Sequence, residues 1–223
     1  MNQEIIKKIG KTFFVWNTIL FIVSFSFSFV ILFRPFYYYH IKSLNLVDET
    51  NHTYQEIKDA YDDIIDYTVF HKSFRSGVFI CSLDAKNHFK DCQLLFTFLF
   101  VLLTISFMLI LIRKKYFSNL KIFNHSIPFW SSCFLIFIIV IFLLLTFMIG
   151  FENIFTFFHK IFFIGKDNWL FDPDIDPIIY ILPEQYFMNC AIFVLIIISI
   201  FLLCIFLFEF LFRKKRIIYK DVI

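Results

Sequence analysis

The chain has 223 residues, of which 60% are hydrophobic, 22% aromatic and only 17% charged, with a formal net charge of +3 and a mean hydropathy of +0.77. A soluble fold of this length cannot cover so much apolar surface, and 4 Gly and 5 Pro are too few for collagen-like, linker-like or disordered classes, which leaves an integral membrane protein. The 37 Phe, with abundant Ile, Lys and Asn, read as the codon drift of an AT-rich genome and carry no functional weight.

Thr12 to Phe33 is apolar apart from Asn17 and small hydroxyls, and at about 1.5 Å per helical residue it covers the roughly 30 Å hydrocarbon core. Its apolar run is longer than that of a signal peptide and no small-residue cleavage pattern follows before Arg34-Pro35-Phe36, so it is expected to remain as an anchor. Gln93 to Ile112, Pro128 to Ile149 and Met188 to Phe212 pass the same length test, with Glu209 the only ionisable residue among them. Four transmembrane helices are expected.

Lys and Arg set the orientation. Lys7, Lys8 and Lys11 in the N-terminal tail, Arg113, Lys114, Lys115 and Lys121 between spans two and three, and Arg213, Lys214, Lys215, Arg216 and Lys220 after span four mark a cytoplasmic side. The two longer connections hold nine basic and 15 acidic residues, a net of −6. Both termini are therefore expected inside and both long loops outside.

The first outer loop is too long for a turn. Within it Thr50 to Thr68 reads as an amphipathic helix. Tyr54, Ile57, Tyr61, Ile64 and Ile65 lie on one face, Lys58, Asp59, Asp62, Asp63 and Asp66 on the other, and Thr53 with Glu56 is spaced as a capping box. Val69 to Leu83 is short, β-branched and aromatic around Gly77, which predicts one or two strands or an irregular segment. In the second outer loop Phe151 to Phe163 is too short to span yet apolar at helical spacing, as for a helix lying at the interface. Gly165-Lys-Asp-Asn-Trp169 and Asp172-Pro-Asp-Ile-Asp-Pro177 follow as turns. Trp169, Tyr180 and Tyr186 have the amphipathic rings found at headgroup level.

The expected organisation is a cytoplasmic tail and first span over 1–33, an extracellular cap over 34–92, spans two and three with a short basic turn over 93–149, an extracellular interfacial loop over 150–187, and a fourth span with a basic tail over 188–223. The fold class is an all-α membrane protein, termini inside, with a small mixed α/β extracellular cap domain.

Standard chemical motifs are missing: no nucleophile elbow, phosphate-binding loop, dinucleotide fingerprint, H-E-x-x-H or C-x-x-C occurs. Five Cys cannot all pair. Cys81, Cys92 and Cys190 leave room for one disulfide, against the reading of small buried hydrophobes. Of six His, His40, His52, His71 and His125 read as solvated or structural. His88, near the outer end of span two, and His159, in the aromatic interfacial segment, fall at one membrane depth. They form a candidate acid and base pair, the alternative being amphipathic packing. Asp91 reads first as an N-cap for span two, and otherwise as a carboxylate orienting His88 at i, i+3.

His88-Phe89-Lys90-Asp91, Phe157 to Phe163, Asn168-Trp169, Asp172-Pro173 and Leu182-Pro183-Glu184-Gln185-Tyr186-Phe187, together with the four spans, resemble the lipoprotein intramolecular transacylase family, Lit, of monoderm bacteria. The chain departs from the family pattern around the first His, with Ala85, Phe89 and Cys92 where the family tends to Glu, Met and Val. The resemblance implies an acyltransferase that moves the sn-2 acyl chain of a diacylglyceryl-cysteine lipoprotein onto that lipoprotein's own α-amine, with no cofactor and no nucleic acid. A monomer in the cell membrane is expected, in contact with membrane lipid and with its site facing outward. The substrate's amine is itself the nucleophile, tethered to the ester it attacks, so no protein Ser or Cys nucleophile is needed. On this reading His88 is the general base and His159 its electrophilic or acid partner, Asp91 orients His88, and Trp169 and Glu184 line or support the pocket.

Three other classes compete. A transporter would carry polar residues or Gly and Pro breaks midway through its spans, which are nearly free of both. A non-catalytic assembly or sensor protein would use the cap to bind a partner. A metal hydrolase would draw on His88, Asp91 and His159, a donor set that suits zinc.

Overall fold

The computed structural model describes residues 3–116, 121–122 and 125–220, and side chains for 8–116 and 126–211. Lys7 and the Arg213 to Lys220 cluster, on which the expected orientation leans, thus lie outside the described side chains. In chain order come α1 (Gln3–Leu32), α2 (Arg34–Ser43), α3 (Leu46–Thr50), α4 (Tyr54–Phe70), α5 (Leu83–Tyr116), α6 (Ile127–Ile149), α7 (Phe151–Phe162) and α8 (Glu184–Lys220). A 3-10 turn covers Pro177–Ile181, and two-residue strands β1 (Lys121–Ile122) and β2 (His125–Ser126) pair antiparallel. Four helices are long and apolar enough to cross a membrane: α1 over Lys8–Leu32, α5, α6, and α8 over Glu184–Leu211.

Two compact units divide the chain. One comprises Met1–Ser26, Val101–Leu144 and Val194–Ile223, the other Phe27–Phe100 and Leu145–Phe193. In the first, α1 touches each of the other three long helices. Asn17 Nδ2 donates to the Ser106 carbonyl at 3.1 Å, Ser131 Oγ donates to the Val15 carbonyl at 3.1 Å, and Phe21 meets Phe201 edge-on at 6.2 Å. A polar side chain in an apolar span survives only when satisfied, and these bonds tie helix to helix while Thr18, Ser24 and Ser26 return theirs to their own helix one turn back.

The second unit is held by a core of Tyr37, Ile41, Ile57, Ala60, Tyr61, Ile64, Phe79, Phe89, Ile178, Ile181 and Tyr186. α4 forms as its sequence predicts: Thr53 Oγ1 accepts from Glu56 N at 3.2 Å and Thr53 N donates to Glu56 Oε2 at 2.8 Å, a reciprocal capping box. α2 begins on Arg34-Pro35, proline fitting the first helical turn where its missing N–H costs nothing. Arg34 then reaches α4, donating to Asp62 Oδ1 at 3.0 Å and Asp66 Oδ1 at 2.5 Å.

The cap expected to be mixed α/β contains no strand. Residues 71–82 are irregular, although Phe79 and Cys81 are buried while Val78 and Ile80 are exposed, the alternation of a strand. An extended segment becomes a strand only with a partner ladder. Here the backbone donors go instead to carboxylates, Gly77 N to Asp63 Oδ2 at 3.2 Å and Ser82 N to Asp176 Oδ1 at 2.6 Å. Gly77 has φ +55°, and a Cβ there would stand 3.0 Å from the Ala60 Cβ, so only glycine lets this segment lie on α4.

α5 corrects a second expectation. It starts ten residues before Gln93, so Asp91 is not its N-cap; Ser82 Oγ accepts from Ala85 N at 3.1 Å in that role. At about 1.5 Å per residue its 34 residues exceed the roughly 30 Å apolar thickness, and its charged ends, Asp84 to Asp91 and Arg113 to Lys115, leave the apolar stretch between them.

Candidate active site

His88 sits in the second turn of α5 and His159 near the end of α7, and both are only 8% exposed. Their ring centroids lie 5.9 Å apart at 31°. α7 forms as a helix over the segment expected at the interface. It follows Gly150, whose φ of +81° makes the sharp exit from α6 that a side chain would resist. Among the described residues of α7 His159 alone is buried, while Phe157, Ile161 and Phe162 remain exposed.

Aromatic rings enclose the pair. Phe163 contacts both, with centroids 4.9 Å from His88 and 5.6 Å from His159. Trp169 stacks on His159 at 4.7 Å and 29°, held there by Nε1 donating to the Lys166 carbonyl at 3.0 Å, and Phe155 lies 4.3 Å from the same imidazole. Phe171 stands edge-on to His88 at 5.5 Å. Such walls exclude water, and burial holds His159 below the usual imidazole pKa by penalising its charged form, only partly offset by the Phe155 carbonyl. Two imidazoles this close do not both carry a proton charge readily.

Hydrogen bonding distinguishes the four ring nitrogens. His159 Nδ1 lies 2.8 Å from the Phe155 carbonyl, which only accepts, so that nitrogen carries the proton and Nε2 presents a lone pair. His88 Nε2 lies 3.5 Å from Cys92 Sγ, one helical turn on, while His88 Nδ1 is buried with no hydrogen-bond partner among the described residues.

Asp91 does not hydrogen-bond His88, as its i, i+3 spacing suggested. Its Oδ1 meets Lys166 Nζ at 2.5 Å and its Oδ2 accepts from Asn168 Nδ2 at 3.0 Å. The carboxylate therefore fastens the loop that carries Trp169 to the helix that carries His88; burial works to raise its pKa, and the bonds from Lys166 and Asn168 outweigh that and hold it below the usual carboxylate value. A second fastening was not foreseen. Asp176, 4% exposed, accepts from Ser82 N at 2.6 Å and from Ser82 Oγ at 2.9 Å, joining the far end of the same loop to the start of α5. Its only signal in the sequence is an Asp before Pro177, which reads equally as a turn.

Glu184 is exposed in the first turn of α8 and shares no hydrogen bond with either imidazole among the described residues. Cys81, Cys92, Cys133, Cys190 and Cys204 are free thiols, so the disulfide left open by the sequence is not made. Among the described residues no group of three His, Cys, Asp or Glu converges as metal ligands, and Asp91, the carboxylate a zinc site would need, is engaged by Lys166 and Asn168.

Residues 12–187 match the family model described as lipoprotein intramolecular transacylase Lit. Among solved structures, that of the membrane integral lipoprotein intramolecular transacylase Lit from Bacillus cereus superposes with a TM-score of 0.84 at 28% identity, covering 95% of this chain and 98% of that one. A variant of the same bacterial protein with one histidine changed to arginine gives a TM-score of 0.81 at 28% identity, covering 96% of each chain. No functionally curated protein matches the chain.

Proposed function

The chain belongs to the lipoprotein intramolecular transacylase family and is an acyltransferase of the membrane, and from that premise we propose that it transfers the sn-2 acyl chain of a diacylglyceryl-cysteine lipoprotein to the α-amine of the same cysteine. The observation that carries this reading is the pair of buried imidazoles, 5.9 Å apart, inside an aromatic enclosure.

The reaction forms a C–N bond, breaks the sn-2 C–O bond, and moves one proton from nitrogen to the glyceryl oxygen. The ammonium form first gives up a proton to solvent. The amine then attacks an ester on its own molecule, so proximity supplies part of the barrier reduction. The ring nitrogens favour a division of labour opposite to that expected from sequence. His159 Nε2, a lone pair on an imidazole kept neutral by burial, is the base we assign to take the amine proton as the C–N bond forms. In the tautomer in which His88 Nε2 accepts from the Cys92 thiol, Nδ1–H is the donor we assign to the developing oxyanion. Protonated His159 then returns its proton to the departing glyceryl oxygen, and no proton is left over.

Asp91, Trp169 and Asp176 support the pair through the loop they hold, and Glu184 adds negative charge in the first turn of α8. The basic clusters support an orientation with both termini inside and the site at the outer leaflet. The exposed Phe and Ile of α7 suit contact with acyl chains.

The test is expression in a host that makes only diacylglyceryl lipoproteins, with mass spectrometry of the N-terminal peptide of one lipoprotein. Fatty acid on nitrogen and a monoacylglyceryl thioether are expected; an unchanged peptide overturns the reading. His88→Ala and His159→Ala should each lower conversion about a hundredfold or more.

A further inference from the structure

Asn168 Nδ2 donates to Asp91 Oδ2 at 3.0 Å. Because a carboxylate only accepts, that bond decides which end of the amide is which, and leaves Oδ1 as the carbonyl. This oxygen is buried with no donor among the described residues. His88 Nδ1 is buried in the same condition. Unpartnered buried polar atoms are rare, and these two are joined through a single carboxylate: Asp91 holds Asn168 and lies one turn after His88 on α5. Asn168 is also the chain neighbour of Trp169, which stacks on His159. Asn168 is thus tied to the helix of His88 through Asp91 and, along the chain, to the ring that stacks on His159.

An amide oxygen only accepts, so it is complementary to an N–H or O–H donor, and of these the acyl-transfer substrate brings the N–H groups of its α-amine. We propose that Asn168 Oδ1 accepts an N–H of the substrate's α-amine, so that the site recognises a free primary amine. The inference rests on the acyl-transfer reading and adds the group that orients its nucleophile. A neutral amine has two N–H bonds and one lone pair. With one N–H directed to His159 Nε2 and the other to Asn168 Oδ1, the lone pair has a single remaining direction, toward the ester carbonyl. After transfer the amide nitrogen keeps one N–H and no free lone pair. It cannot satisfy both acceptors, which favours release of the product and bars a cysteine that is already N-acylated.

The experiment measures binding of a synthetic diacylglyceryl-cysteinyl peptide and of its twin lacking the α-amine to the full chain in detergent, for the natural protein, Asn168→Ala and Asn168→Ser. Serine keeps a hydroxyl near Asp91 and serves if alanine does not fold. The natural protein should prefer the amine about a hundredfold, the equivalent of its two hydrogen bonds at about tenfold each. In both variants the preference should fall about tenfold, the bond to His159 Nε2 accounting for what is left. A preference undiminished in both variants overturns the inference, as does a natural protein that does not discriminate. Conversion of the amine peptide by the natural protein, followed by mass, separates the two failures. Conversion without Asn168-dependent discrimination sinks the inference alone, and no conversion sinks the acyl-transfer reading and the inference with it.

Discussion

A histidine enclosed by phenylalanine and tryptophan holds a proton weakly, because water that would solvate the imidazolium is missing. For His159 the sign is definite. Its pKa is lowered by burial, so the folded state binds fewer protons than the unfolded one below about pH 6.5, and stability contributed by this group rises with pH and levels off above that value. A proton-coupled NMR titration of the His159 ring should therefore show a midpoint below 6.5. Trp169→Ala, which admits water to the stacked face, should move that midpoint upward; an unmoved midpoint would show that Trp169 does not shield the ring. The two histidines were legible because each sits in a distinctive run of residues at the end of an apolar stretch. The true partners of Asp91 were not, since Lys166 and Asn168 lie 75 and 77 residues away and nothing local in either segment points to the other.

At the scale of elements, the loop between α7 and α8 is the part that local propensity leaves open. Its turn residues predict bends without saying what the bends rest on. Asp176 gives it a footing on the start of α5, and Asp176→Ala would remove two hydrogen bonds and strand the Ser82 amide. A loss of about 2 kcal/mol follows, or a fall of about 4–8 °C in Tm for a chain of this size. Thermal unfolding in detergent should register it, and Asp176→Asn should recover part of the loss. α4 was legible to its cap because a capping box is a purely local device. Residues 71–82, open in sequence between strand and irregular segment, could not be decided for the converse reason: apolar alternation reports which side chains face inward, while strand identity depends on a neighbouring backbone that the sequence of the segment cannot announce.

Over the whole molecule, the spans were legible because the bilayer imposes a length that few other structures need. Orientation is a separate matter carried by charge. Cysteines placed at Asp174 and Lys114, both exposed, give the check. A membrane-impermeant thiol reagent should label the Asp174→Cys protein on intact cells and the Lys114→Cys protein only after lysis. The reverse pattern would invert the orientation and place the histidine pair at the opposite leaflet.

The loop fastened to α5 at Asp91 and Ser82 also sets a timetable. Those fastenings join residues 75, 77 and 94 positions apart, so a nascent chain still in synthesis holds His88 long before His159 exists. Contacts of such separation close late. Until the third hydrophobic segment has been inserted and the following loop has latched, His88 stands without His159 beside it and the aromatic walls around the pair are unbuilt.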